Sequence, residues 1–239
     1  MWKSSERNSG MDSVSYRIAA AFLSMLTMGS AVTADNGDMT KHVVMIHAET
    51  RPQGIERFFP AIVLESTANK SVLVSVAWGA EPFPIGPNGK AIDAIHLLDS
   101  KEPVDIVAFD EALGVAVFSV NIHLEPWPSK RIGIGTLPGE ELEELILDNR
   151  HFERKHDKKL QVKTIDSVLP YKTARGSKVN VEGTMIFDGQ TAGGPGTVLL
   201  RDGMLAAVFL NNEPTSPLTQ HALPIKLLLS RCQSLIKSK

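Results

Sequence analysis

Gly189-Gln190-Thr191-Ala192-Gly193-Gly194-Pro195 is a loop by composition, with three glycines and a proline in seven residues, and such clusters punctuate regular structure. The residues after it decide the fold. Thr197-Val198-Leu199-Leu200 and Met204-Leu205-Ala206-Ala207-Val208-Phe209 are apolar runs on either side of Arg201-Asp202-Gly203. An Asp-Gly pair between two such runs predicts a β-hairpin, because glycine accepts the positive φ that the tight turn requires. His221-Ala222-Leu223-Pro224-Ile225 then leads into Lys226 to Ile236, read as a closing helix with Pro224 in its first turn, where a missing N–H costs nothing.

This order of glycine-rich loop, hairpin, Ala-Leu-Pro strand end and C-terminal helix resembles the trypsin-like domain of bacterial HtrA-type serine proteases, over roughly residues 180 to 236. The resemblance implies an all-β protein of two six-stranded antiparallel β-barrels with a C-terminal helix. It places a first barrel at about 40–125, a second at about 130–225 and the helix at about 224–237, within a domain running from 35 to 239. Relatives of this type continue into a peptide-binding PDZ domain, which a chain stopping at Lys239 would lack.

The same resemblance locates three positions where the family carries its catalytic triad. Val72-Leu73-Val74-Ser75-Val76-Ala77-Trp78 matches the strand that ends in histidine, and Ala77 takes the histidine's place. Gly114-Val115-Ala116-Val117-Phe118 matches the strand that opens on aspartate, with Gly114 at that position, and Ala192 stands where the nucleophilic serine belongs. A serine hydroxyl needs an imidazole to take its proton, and the imidazole needs a carboxylate to fix its tautomer. Alanine and glycine supply none of this. The expectation is therefore a protein that is not an enzyme but a pseudoprotease, acting as a binding, regulatory or scaffold protein for a peptide or protein partner. The groove left by a protease offers a strand edge to which an extended peptide can add.

Two other functions stay open. One is an active peptidase with relocated catalytic residues, for which Thr191 is the alternative nucleophile. The other is transition-metal binding through surface histidines, of which the chain has seven. His221, beside the former specificity pocket, is the best single metal candidate, and His151 and His156 lie in a charged loop. No two histidines show a spacing that defines a site, and no cofactor is expected. Gln190 and Ala192 would supply the backbone N–H groups of an oxyanion hole. Gln190 replaces the glycine that favours the required backbone turn, so the hole is expected to be collapsed or distorted.

Composition narrows the partners. The formal charge is −2, from 25 basic and 27 acidic residues, which gives no electrostatic case for nucleic acid. Arg17 precedes the apolar run Ile18 to Ser30, and Ala31-Val32-Thr33-Ala34 reads as a signal-peptidase site. Residues 1–34 are therefore expected to be a signal peptide, making the protein periplasmic or secreted, with membrane association only if the segment is retained. The single cysteine, Cys232, excludes an internal disulfide and is read as buried packing in the helix. Asp110 is read as a solvated acid beside a turn, His42 to His47 as the first strand, Ala91 to Leu98 as a later one, and Arg131 to Thr136 as the start of the second barrel. Glu140 to Leu147 is either a helical turn or a strand.

Overall fold

A computed structural model describes residues 39–50, 55–77, 94–133, 135–145, 147, 159–172, 177–191, 193–213 and 216–237. Twelve strands and one α-helix are found among them. The first sheet contains β1 (Val43–Thr50), β2 (Ile55–Ser66), β3 (Ser71–Val76), β4 (Ala94–Leu97), β5 (Val104–Asp110) and β6 (Val115–Val120). Its order is β4-β1-β2-β3-β6-β5, all neighbours antiparallel. Its two outermost strands come together at an isolated bridge between His96 and Pro103. The second contains β7 (Glu141–Glu144), β8 (Leu160–Lys172), β9 (Lys178–Asp188), β10 (Val198–Arg201), β11 (Met204–Glu213) and β12 (Ser216–Pro224), and it closes into a barrel. Helix α1 covers Ile225–Lys237.

The central strands β3 and β6 are buried along their whole length, which is why they read as unbroken apolar runs rather than as alternating ones. The period of two still sorts their side chains. Leu73, Ala116, Phe118 and Val120 join Ile46, Phe59 and Ile95 inside the first sheet. Val72, Val74, Val76, Val115 and Val117 face the other way, into a core shared with Val181, Leu210 and Leu223 of the second barrel and with Leu228, Leu229 and Cys232 of α1. Leu142, Leu160, Met185 and Phe187 fill the second barrel itself. In α1 the buried residues are Ile225, Leu228, Leu229, Cys232, Leu235 and Ile236, the i, i+3, i+4, i+7 stripe of a helix with one packed face. Burial pushes the Cys232 thiol far up from its ordinary value, so it remains a neutral packing group.

The predicted hairpin forms at Asp202 and Gly203, which have φ of 51° and 71°, the pair of positive values of a type I′ turn. Glu141–Glu144 is a strand. Two expectations are corrected. Arg131 to Thr136 does not open the second barrel. Ser129–Arg131 is a single 3₁₀ turn, Ile132 makes one isolated parallel bridge to Leu205, and the Gly133 N–H is taken by the Leu205 carbonyl at 2.7 Å. Pro224 is the last residue of β12 rather than the first turn of α1. The signal segment, His151 and His156 lie outside the described residues. Among the described residues no helix is long and apolar enough to cross a membrane.

Glu140, just before β7, accepts the Leu137 N–H at 2.7 Å and the Arg201 guanidinium at 2.6 Å. The Leu137 bond first, and Arg201 after it, hold its carboxyl below the ordinary 4.5. A carboxyl whose folded pKa is lowered stabilises the fold above its unfolded value, and that contribution is lost as pH falls through the folded one. The gap in unfolding free energy between the parent and Glu140→Gln is thus expected to be full near pH 7 and to close below pH 4.5. Urea unfolding at several pH values measures it.

Candidate functional site

Two of the three positions singled out by the triad reading, Ala77 and Gly114, meet at the seam between the two sheets. Ala77 follows β3 directly, is fully buried, and donates its N–H to the Gly114 carbonyl at 3.0 Å. Gly114 ends the turn between β5 and β6 with φ of 72°. Asp110 closes that turn by accepting the Leu113 N–H at 2.8 Å, so its carboxylate caps backbone. A Cβ placed on Gly114 would lie 3.2 Å from Val181 Cγ1 and 3.7 Å from Leu210 Cδ2. The space into which an aspartate would project is filled with aliphatic side chains.

Ala192 lies outside the described residues, and with it the expectation of a collapsed oxyanion hole. Both its neighbours are placed. Gln190 is exposed. Thr191 donates its N–H to Gln220 Oε1 at 3.0 Å, and its Oγ1 lies 3.4 Å from both the Gly193 carbonyl and Gln220 Nε2. Gly193 donates its N–H to Glu144 Oε1 at 2.8 Å. Thr197 Oγ1 donates to the Gly194 carbonyl at 2.7 Å, and the Gly196 N–H is bound by the Phe209 carbonyl at 2.9 Å. The loop is held from two sides, by Glu144 on β7 and Gln220 on β12. Neither clamp was legible in the sequence, since the partners lie 49 and 29 residues away.

The far end of the loop abuts the first sheet. Gly196 has φ of 98°, and a Cβ there would stand 2.7 Å from the Pro60 carbonyl oxygen and 3.0 Å from Ser75 Oγ. Ser75 itself donates to the Pro60 carbonyl at 2.7 Å. Two residues from Ala77, then, glycine backbone from the second barrel packs directly on backbone from the first.

His221 does not join this cluster. It is buried on β12 with Nδ1 2.9 Å from Thr184 Oγ1 of β9, while its chain neighbour Gln220 reaches Thr191. His123 Nδ1 is 2.9 Å from Ser66 Oγ and 3.0 Å from the Thr67 carbonyl, far along the chain from the loop. Among the described residues no group of three or more histidine, cysteine, aspartate or glutamate side chains is gathered in a way that could hold a metal ion.

Arg231 is a further residue that sequence reading missed. From α1 its guanidinium donates to the Leu113 carbonyl at 2.8 Å and to the Glu182 carbonyl at 2.5 Å, tying the turn ahead of Gly114 to β9. Burial lowers its pKa from the ordinary value. Arg231→Met keeps the stem and removes both bonds, leaving two carbonyls without this donor. A loss of about 1.5–3 kcal/mol of stability is expected, read from the urea midpoint at unchanged slope.

No protein-family model matches the sequence, and no curated protein matches it. Solved structures do. The Rv3671c protease of M. tuberculosis in its active form aligns with a TM-score of 0.56 at 12% identity, covering 87% of this chain and 88% of that one. An inactive serine-to-alanine mutant of the same protein aligns at 0.57 and 12% identity over 90% and 99%. Deg5 aligns at 0.56 and 16% identity over 81% and 88%. This corrects the expectation that the chain is not an enzyme. The Rv3671c protease, which shares this fold, is in an active form, so the lack of three side chains on the fold does not make this chain a non-enzyme. The physical reason is that Ala77, Gly114 and Ala192 are three side-chain positions only, whereas the two sheets, the seam between them and the loop at 189–196 are framework that proteases of this fold share. With two six-stranded sheets, a closing helix and a glycine-rich loop on the seam, this chain has the trypsin-like fold of HtrA-type serine proteases.

Proposed function

We propose that the chain takes up an extended polypeptide along β11, at the seam between the two sheets. The observation that carries this reading is the uneven pairing of β11. Its register with β10 ends at Val198↔Val208, with Gly196 and Thr197 each bonded once more to Phe209, while its register with β12 continues to Glu213. On the side facing the glycine-rich loop, β11 therefore runs on as a strand edge. An incoming peptide can add to such an edge by backbone hydrogen bonds, with side-chain pockets supplying selectivity. The partner is a peptide or an unfolded protein segment met outside the cytoplasm, as the apolar segment before residue 35 suggests.

A second reading, hydrolysis of the bound chain, is favoured by the protease structures that share the fold. Ala77 and Gly114 have no side chain able to move a proton, so a hydrolytic step here draws on other groups. We place it at Thr191, whose hydroxyl adjoins the nucleophile position. The test is the full chain with fluorescently labelled, unfolded casein, beside Thr191→Ala. Saturable binding by both proteins supports polypeptide uptake, and its absence from both overturns it. Cleavage by the parent that disappears in Thr191→Ala supports the second reading, and intact casein after prolonged incubation overturns it.

A further inference from the structure

On the face of β1 and β4 opposite the first sheet's core, two histidines meet. Alternation along β1 sends Ile46 and Ala48 into the sheet's core, and along β4 it sends Ile95 and Leu97 there; His47 and His96 consequently point outward. They are direct register partners across the β1–β4 pair. His47 Nδ1 is 2.9 Å from His96 Nε2, with ring centroids 4.6 Å apart and planes at 86°. Phe58, the register partner of His47 on β2, is 46% exposed and lies flat on the His47 ring, at 4.5 Å and 4°. The peptide site does not use this cluster.

We propose that His47 and His96 form a chelating site for a divalent transition-metal ion, with water completing the coordination shell. Two nitrogens each about 2.0–2.1 Å from one ion stand about 2.9 Å apart at a right angle, and about 3.3 Å apart at a tetrahedral one. The separation in this protein, 2.9 Å, is that of a hydrogen bond between the rings; it puts both nitrogens within reach of one ion, and imidazole suits Ni²⁺, Cu²⁺ and Zn²⁺ alike. To bind, each ring turns so that its lone pair leaves the line between the nitrogens, and the ring that donated the shared proton changes tautomer, carrying that proton on its other nitrogen. His96, on the short strand β4, makes the larger turn, while Phe58 holds the plane of His47. Metal ligation needs neutral imidazole. No third histidine, cysteine or carboxylate completes a group around them among the described residues, hence the water ligands.

The experiment is isothermal titration of the full chain with NiCl₂, alongside His47→Gln, His96→Gln and, as a control on a separate histidine, His123→Gln. The expected result is a saturable 1:1 isotherm for the parent and the control. In each of the first two variants binding should weaken about tenfold or more, since a single imidazole forgoes the chelate's effective concentration. A parent that shows no saturable binding overturns the proposal, as does His96→Gln binding Ni²⁺ like the parent. His96 sits half-buried at the sheet's edge, so that variant keeps its fold and decides the matter even if His47→Gln, which loses the stack on Phe58, unfolds.

Discussion

Gly196→Ala is expected to be among the most damaging single-methyl changes this chain can suffer, lowering its stability by about 2–4 kcal/mol. Two effects add. The backbone at 196 has φ of 98°, a region that residues with a Cβ avoid. The new methyl would also lie 2.7 Å from the Pro60 carbonyl oxygen and 3.0 Å from Ser75 Oγ. The first of these is backbone in a central part of the sheet and cannot rotate aside. Relief requires moving the end of the loop off the first sheet, which opens the seam on which the proposed peptide edge lies. Chemical unfolding gives the stability loss, and the casein assay should show weaker binding alongside it. A variant as stable as the parent would mean that the loop does not pack against the first sheet as described.

Gly114→Asp, which puts a carboxylate where the resemblance places the triad aspartate, is expected to lower stability by about 3–5 kcal/mol, the range seen for an uncompensated buried charge. The reason lies in the surroundings. Val181 and Leu210 already occupy the space next to the position, and Ala77, bonded to the Gly114 carbonyl, offers no imidazole for the carboxylate to orient. An ionised carboxylate among aliphatic groups loses its hydration without gaining a partner. Gly114→Asn separates the two contributions, because asparagine tolerates the left-handed backbone and carries no charge. It should recover a substantial part of the loss, most visibly near neutral pH. Equal stability of Gly114→Asp and the parent would show that this cavity is polar or open.

What could be read from the chain was what local chemistry dictates. The Asp202-Gly203 turn announces itself because the conformation it needs excludes most other pairs. The stripe from Ile225 to Ile236 has the spacing of a helix with one buried face. β3 and β6 stand out because burial on both sides removes polar alternation. The glycine-rich loop was legible as a loop, and Ala77 and Gly114 as neighbours through resemblance. What holds the loop was not legible. Glu144 and Gln220 reach it from other strands, and a glutamate on a strand with a polar edge looks the same whether it faces water or a glycine N–H. The His47–His96 contact is hidden for the same reason, since it depends on a register between strands that the intervening chain does not encode locally. Arg131 to Thr136 misled because alternation of isoleucine and glycine imitates a strand, where the protein uses Gly133 to bring its backbone close to Leu205.

Amide hydrogen exchange on the full chain, with and without saturating unfolded casein, tests the central claim most directly. Polypeptide uptake along β11 predicts slowed exchange in a peptide covering residues 209–213, with little change in β5 or in the hairpin of β8 and β9. Saturable casein binding with exchange unchanged at 209–213 and slowed elsewhere would contradict it.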